Sequence, residues 1–182
     1  RSGGPASGRV PDIETPVIFD ENSFNANSTS VSLDRNAACF NLSFTPGLSV
    51  SFDLGGNTLT LNGSLDVESQ GVTFNNGTIE LAGQISKRNF IRSPGSTLSG
   101  VNVLVRGNNA RWNMLTPLNV QSLRVEGGGL SVVNQSVSAG SIQFPLGSGQ
   151  VFEVAGSTIS VERELLLNPG LLADFSGSTI VF

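Results

Sequence analysis

Asp53, Asp66, Glu68 and Glu80 stand beside turns in a stretch of alternating apolar and polar residues. Paired carboxylates are the residues that cleave glycosidic bonds, one protonating the leaving oxygen while the other acts as base or nucleophile. Asp66 lies between Leu65 and Val67, and Glu80 between Ile79 and Leu81. Strand parity therefore points both acids outward, away from the apolar side. Stacked strands would bring such acids near one another, but the spacing fixes no acid–base pair, and a solvated face is the expectation. Lys87-Arg88 with Arg92 has the charge of a polysaccharide lyase's basic site. Isolated cations in a turn more often serve solubility. Arg111-Trp112 offers an aromatic face for sugar stacking, although a single Trp is commonly a core residue. The binding candidates are thus Trp112, Arg111, Lys87 and Arg88, and no residue is assigned a catalytic role.

Other chemistry is excluded by composition. The chain has no histidine, which removes Ser-His and Cys-His nucleophile pairs and histidine metal sites. Cys39 is the single cysteine, so no internal disulfide forms. It sits in Ala37-Ala38-Cys39-Phe40 and reads as a buried small hydrophobe rather than a reactive thiol. Asp and Asn at turns suit calcium, but the glycine/aspartate repeat of calcium-binding solenoids is missing, and neither metal nor cofactor is expected. Thr58-Leu59-Thr60 stands alone, so no ice-binding row is read. Asn27, Asn41, Asn62, Asn76 and Asn134 head N-x-Ser/Thr sequons, which matter only in a eukaryotic secretory protein.

The elements that position these residues are short strands. Between Asn57 and Gly83 the pairs Leu59/Leu61, Leu65/Val67, Val72/Phe74 and Ile79/Leu81 alternate with polar residues. Asn62-Gly63, Ser69-Gln70-Gly71 and Asn75-Asn76-Gly77 separate them and supply tight corners. Strands this short bury enough surface only by stacking on equivalents one coil away. A line of pairs runs through Leu42/Phe44, Leu59/Leu61, Ile79/Leu81, Val101/Val103, Leu123/Val125, Ile142/Phe144, Ile159/Val161 and Ile180/Phe182. Its steps are 17 to 22 residues. A second line holds Leu65/Val67, Leu130/Val132, Phe152/Val154 and Leu165/Leu167. A third holds Val72/Phe74 and Val137, with Phe90 and Leu118/Val120 as further members. Thr58–Val67 repeats in spacing as Thr158–Leu167.

The fold class that follows is all-β: a single-stranded parallel β-helix, or β-solenoid, of about seven to eight coils. A β-sandwich is the alternative, but six or seven residues from pair to pair is tighter than its usual 8–12-residue turn spacing. Residues 1–12 read as a flexible segment or linker and 13–182 as one domain, with an N-terminal cap over about residues 13–40. Ile85–Pro117 is less regular and is expected to hold a protruding turn. The C-terminal end is expected to be open, as in a fragment of a longer protein. The 182 residues carry only 13 % charged side chains and a net charge of −4, with no basic stripe for nucleic acid. No apolar run approaches the ~18 residues of a membrane span.

Pro16–Phe44, PVIFDENSFNANSTSVSLDRNAACFNLSF, followed by Leu59-Thr60-Leu61-Asn62-Gly63-Ser64-Leu65, resembles a recurring stretch of large cell-surface proteins of Bacteroidota. The resemblance is specific over the first third of the chain. It implies an exported, surface-anchored, adhesin-like protein carried by type IX secretion, and transfers no site residue. The expected function is a structural and interaction module of a secreted cell-surface protein, an adhesin-like stalk or repeat domain. Its expected partners are further domains of the same polypeptide, surface glycans or neighbouring surface protein. The rivals are a carbohydrate-active β-helix enzyme, either lyase or hydrolase, and a glycan-binding module using Trp112.

Overall fold

The computed structural model describes residues 11–24, 29–83, 88–95, 97–145 and 150–182. The chain winds as a three-sided parallel β-solenoid of about seven turns. Its first coil is β1 (Val17–Phe19), β2 (Ser30–Ser32) and β3 (Ala37–Cys39), one strand to a side. The second is β4 (Leu42–Phe44), β5 (Ser49–Asp53) and β6 (Thr58–Leu61). In the third, β7 (Leu65–Val67) is followed by β8 (Gly71–Leu81), which turns a corner at Asn76 and serves two sides. The winding continues through β9 (Arg88–Arg92), β10 (Gly100–Met114), β11 (Leu118–Ser131) and β12 (Ser136–Phe144). It ends with β13 (Val151–Glu153), β14 (Thr158–Leu167), β15 (Leu172–Asp174) and β16 (Thr179–Val181). Every strand pairing among the described residues is parallel, each strand lying on its counterpart one coil away.

Alternation dictates this arrangement. Inward positions carry Leu, Val, Ile and Phe, and the tube closes round a continuous apolar column. On the third side Ala37, Leu59, Ile79, Val103, Leu123, Ile142 and Leu165 stack in register, with steps of 19 to 24 residues. On the first side Val17, Leu42, Leu65 and Ile91 stack. On the second side Leu118, Val137, Ile159 and Ile180 stack. The Phe-rich opening fills the first three coils: Phe19 stacks on Phe44 at 4.9 Å and Phe52 on Phe74 at 5.1 Å. Each such side chain contributes about 1.5–3 kcal/mol by leaving water.

Three sequence expectations change in detail. Leu42/Phe44 lies on Leu65/Val67 rather than on Leu59/Leu61, and Ile142/Phe144 on Leu165/Leu167 rather than on Ile159/Val161. The expected lines therefore cross between sides, because short inward pairs are chemically alike on all three. The Thr58–Val67 and Thr158–Leu167 match joins different sides for the same reason. The irregular middle is paired wall over Arg88–Arg92, 100–106 and 111–114. Its irregularity lies at residues 107–110, where the register with β11 slips and the extra residues are unpaired among the described strands. Asn102 sits at an outward position between inward Val101 and Val103, Arg92 and Arg106 also face outward, and Asn89 is buried.

Corners need special backbone. Asn76 and Asn134 adopt φ of 57°, a left-handed conformation that Asn tolerates. Gly128 has φ of 72°, and a Cβ there would stand 2.5 Å from the carbonyl oxygens of both Gly107 and Ala110. Corner carbonyls are met from inside: the buried Gln150 donates to Val125 O at 2.7 Å, and Ser157 Oγ to Val132 O at 2.5 Å.

Candidate functional site

The outward rows of the solenoid carry the polar chemistry, and the parallel register decides which residues meet. On the third side Glu80, Leu104, Arg124 and Gln143 occupy one row on successive coils. Arg106 and Glu126 stand just beyond it, and a chain of contacts runs along the rod. Arg106 Nε meets Glu126 Oε2 at 2.6 Å, and Arg106 Nη1 meets Glu80 Oε1 at 3.9 Å. Arg124 Nε meets the other Glu126 oxygen at 2.6 Å and Arg124 Nη1 donates to Gln143 Oε1 at 3.3 Å. Gln143 Nε2 in turn donates to Glu164 at 2.5 Å. Hydrogen bonds from Arg106 and then Arg124 hold the Glu126 carboxyl below its ordinary value.

On the first side Asp66 and Glu68 share Arg92. Arg92 Nε lies 3.3 Å from Asp66 Oδ1, and Arg92 Nη1 donates to Glu68 Oε1. Asp66 Oδ1 is buried and its contact with Arg92 misses hydrogen-bonding geometry, so the ion pair is electrostatic only. Desolvation raises the Asp66 carboxyl, Arg92 opposes that rise and the Glu68 charge adds to it. Both Asp66 and Glu80 thus face outward as their parity demands, and both sit within reach of an arginine.

The four binding candidates do not converge. Trp112 is fully buried, so it does not form a sugar-stacking platform. Its indole passes beneath the corner glycines: a Cβ on Gly83 would come within 2.8 Å of it and one on Gly107 within 2.7 Å. Its Nε1 donates to the carbonyl oxygen of Gly63 at 3.2 Å. Arg111, the next residue, points outward by alternation and pairs with Glu153 at 2.8 Å, two coils on. The intervening row position is Gly129, which lacks a side chain to obstruct the reach. Arg88 is described by its backbone alone, in register with Arg111, and Lys87 lies outside the described residues.

Cys39 is buried in the first coil, and desolvation pushes its thiol up to about 12. It lines an apolar cavity of about 420 Å³ with Val17, Phe19, Val31, Leu42 and Phe52. Asp34 and Arg35 on its rim pair with each other at 3.1 Å. A second, polar groove of about 300 Å³ lies at the corner between the second and third sides, lined by Asn119, Gln121, Ser138, Gly140, Glu162 and Arg163. With Ser99 at one end the lining is spread over four coils, and nothing in the sequence spacing shows these residues to be neighbours. The one sequence cue is that Arg163 stands between Glu162 and Glu164.

Of the sequons, Asn41 is used structurally, accepting from Ser64 N at 2.7 Å, and Asn27 lies outside the described residues. Among the described residues no cluster of three His, Cys, Asp or Glu side chains is placed to hold a metal ion. No helix among them is long and apolar enough to cross a membrane. In comparisons with protein-family models, curated proteins and solved structures, the chain matches none.

Proposed function

We propose that this chain is a structural and interaction module: an adhesin-like stalk or repeat domain of a secreted bacterial cell-surface protein. The observation that carries the reading is the commitment of outward charge to lateral pairing. Glu80, Glu126 and Glu153, like Asp66 and Glu68, each face an arginine from another coil, which ties coils together along the rod. A parallel solenoid adds about 4.8 Å of length per coil, so winding of this kind spaces whatever is attached to it. The resemblance of Pro16–Phe44 to Bacteroidota surface proteins supports an exported, type IX-secreted location. Its partners are further domains of the same polypeptide, glycans or neighbouring surface protein, and the proposal assigns it no catalysis. Antibody labelling of intact producing cells tests the reading. Labelling without lysis is expected, and signal appearing only after lysis would overturn it.

One observation favours the enzyme as a second reading. Asp66 is an acid with a raised carboxyl next to Glu68, the pattern of a general acid beside a second carboxylate. Against it, Arg92 occupies the space between them.

A further inference from the structure

Six arginine side chains are described apart from their backbones, and five are in ion pairs. Arg35 pairs with Asp34, Arg92 with Asp66 and Glu68, and Arg106 with Glu80 and Glu126. Arg111 pairs with Glu153 and Arg124 with Glu126. Arg163 has no hydrogen-bond or ion-pair partner among the described residues, although Glu162 and Glu164 flank it in the chain. Glu164 is instead bonded to Gln143. The Arg163 guanidinium lies over Gly140, with one nitrogen 2.7 Å from where a Cβ would stand. It therefore rests in the floor of the polar groove, on bare backbone, with its donors uncommitted.

We infer that this groove binds a linear acidic saccharide, with a sugar carboxylate on Arg163. The inference rests on the interaction-module reading and names a ligand class for it. A planar guanidinium takes a carboxylate through two parallel hydrogen bonds, the geometry that an unpaired arginine lacks here. The polar part of the lining is mostly amide and hydroxyl: Asn119, Gln121 and Ser138 both donate and accept, and Glu162 accepts, with the small apolar Val120 and Ala139 between them. Such polar groups replace the water around sugar hydroxyls, and the small apolar Val120 and Ala139 leave room for the flat face of a sugar ring. With Ser99 at one end, the groove runs along the rod across four successive coils, roughly 14 Å at about 4.8 Å per coil. That shape suits an extended chain. Its volume, about 300 Å³, holds a short segment of one. The protein's net charge of −4 gives an acidic polymer no general attraction, so binding depends on Arg163 itself.

Calorimetric titration with oligogalacturonate tests this, comparing the wild-type chain with Arg163→Gln, Gln121→Ala and Arg111→Gln. Arg163 is exposed and makes no internal bond, so Arg163→Gln is expected to fold normally. The wild type is expected to bind oligogalacturonate and not a neutral dextran oligomer. Arg163→Gln should weaken binding roughly 10- to 100-fold, the worth of a charge-assisted hydrogen-bond pair. Gln121→Ala should weaken it less, and Arg111→Gln should leave it unchanged. Absence of wild-type binding, equal losses in Arg163→Gln and Arg111→Gln, or polyglutamate bound as tightly as the saccharide would each overturn the proposal. A chain displayed on intact cells that ignores oligogalacturonate removes the groove assignment and leaves the module reading standing.

Discussion

Trp112 donates its indole N–H to the carbonyl oxygen of Gly63 at 3.2 Å, across two coils of the solenoid. The bond crosses the coil that contains Asn89, the residue stacked directly on Trp112. Corner glycines at 83 and 107 leave the room that the ring fills. A residue with the type and neighbour of a sugar-stacking platform is therefore a peg through the corners of the tube. Trp112→Ala is expected to destabilise the fold by about 3–5 kcal/mol. Gly107→Ala should cost about 1–3 kcal/mol by forcing the ring and the Gly83 carbonyl apart. Denaturant midpoints with unchanged slopes check both. As the only tryptophan, Trp112 also reports directly: its fluorescence should resist quenching in the native state and ignore added glycans.

Cys39 predicts an alkaline weakness. Its folded thiol titrates at about 12 against an ordinary 9.0, because burial penalises the thiolate. The folded state keeps the proton longer than the unfolded state. The stabilising contribution is therefore complete below about 9 and is lost as pH rises toward about 12. Cys39→Ala should flatten that limb of a stability-against-pH curve. A thiol reagent should label the wild type only at the rate of opening.

Parity was legible and geometry round the tube was not. Leu59, Leu61, Ile79 and Leu81 face inward and Asp66 and Glu80 outward, as alternation alone requires. Which side each pair belongs to is invisible in the sequence, because Leu42/Phe44 would fit against Leu59/Leu61 as well as against Leu65/Val67. The predicted turn Asn75-Asn76-Gly77 is a corner inside the continuous strand β8, a compression that only the left-handed Asn76 reveals. The charged pairs were hidden by distance along the chain: Arg111 and Glu153 are 42 residues apart. Arg163 was hidden for the converse reason, since two adjacent acids suggest a partner that the fold does not supply.

Glu126 sets an acid limb. Arg106 and Arg124 hold its carboxyl low in the folded state. That contribution is present above the unfolded value and is lost as pH falls through the depressed folded value. Glu126→Gln should reduce the acid sensitivity of stability. Arg111→Ala breaks only one exposed pair and should cost about 0–1 kcal/mol, less in high salt. Thermal melts at several pH values and salt concentrations separate the two.

The division between a module and an enzyme is decided by one assay. The purified chain is incubated with a panel of neutral and acidic polysaccharides, and new reducing ends and unsaturated uronides are measured over time. The account predicts no new ends from any substrate, whether or not the polymer is retained. Cleavage by the wild-type chain that disappears in Asp66→Asn, with the fold intact, would contradict it.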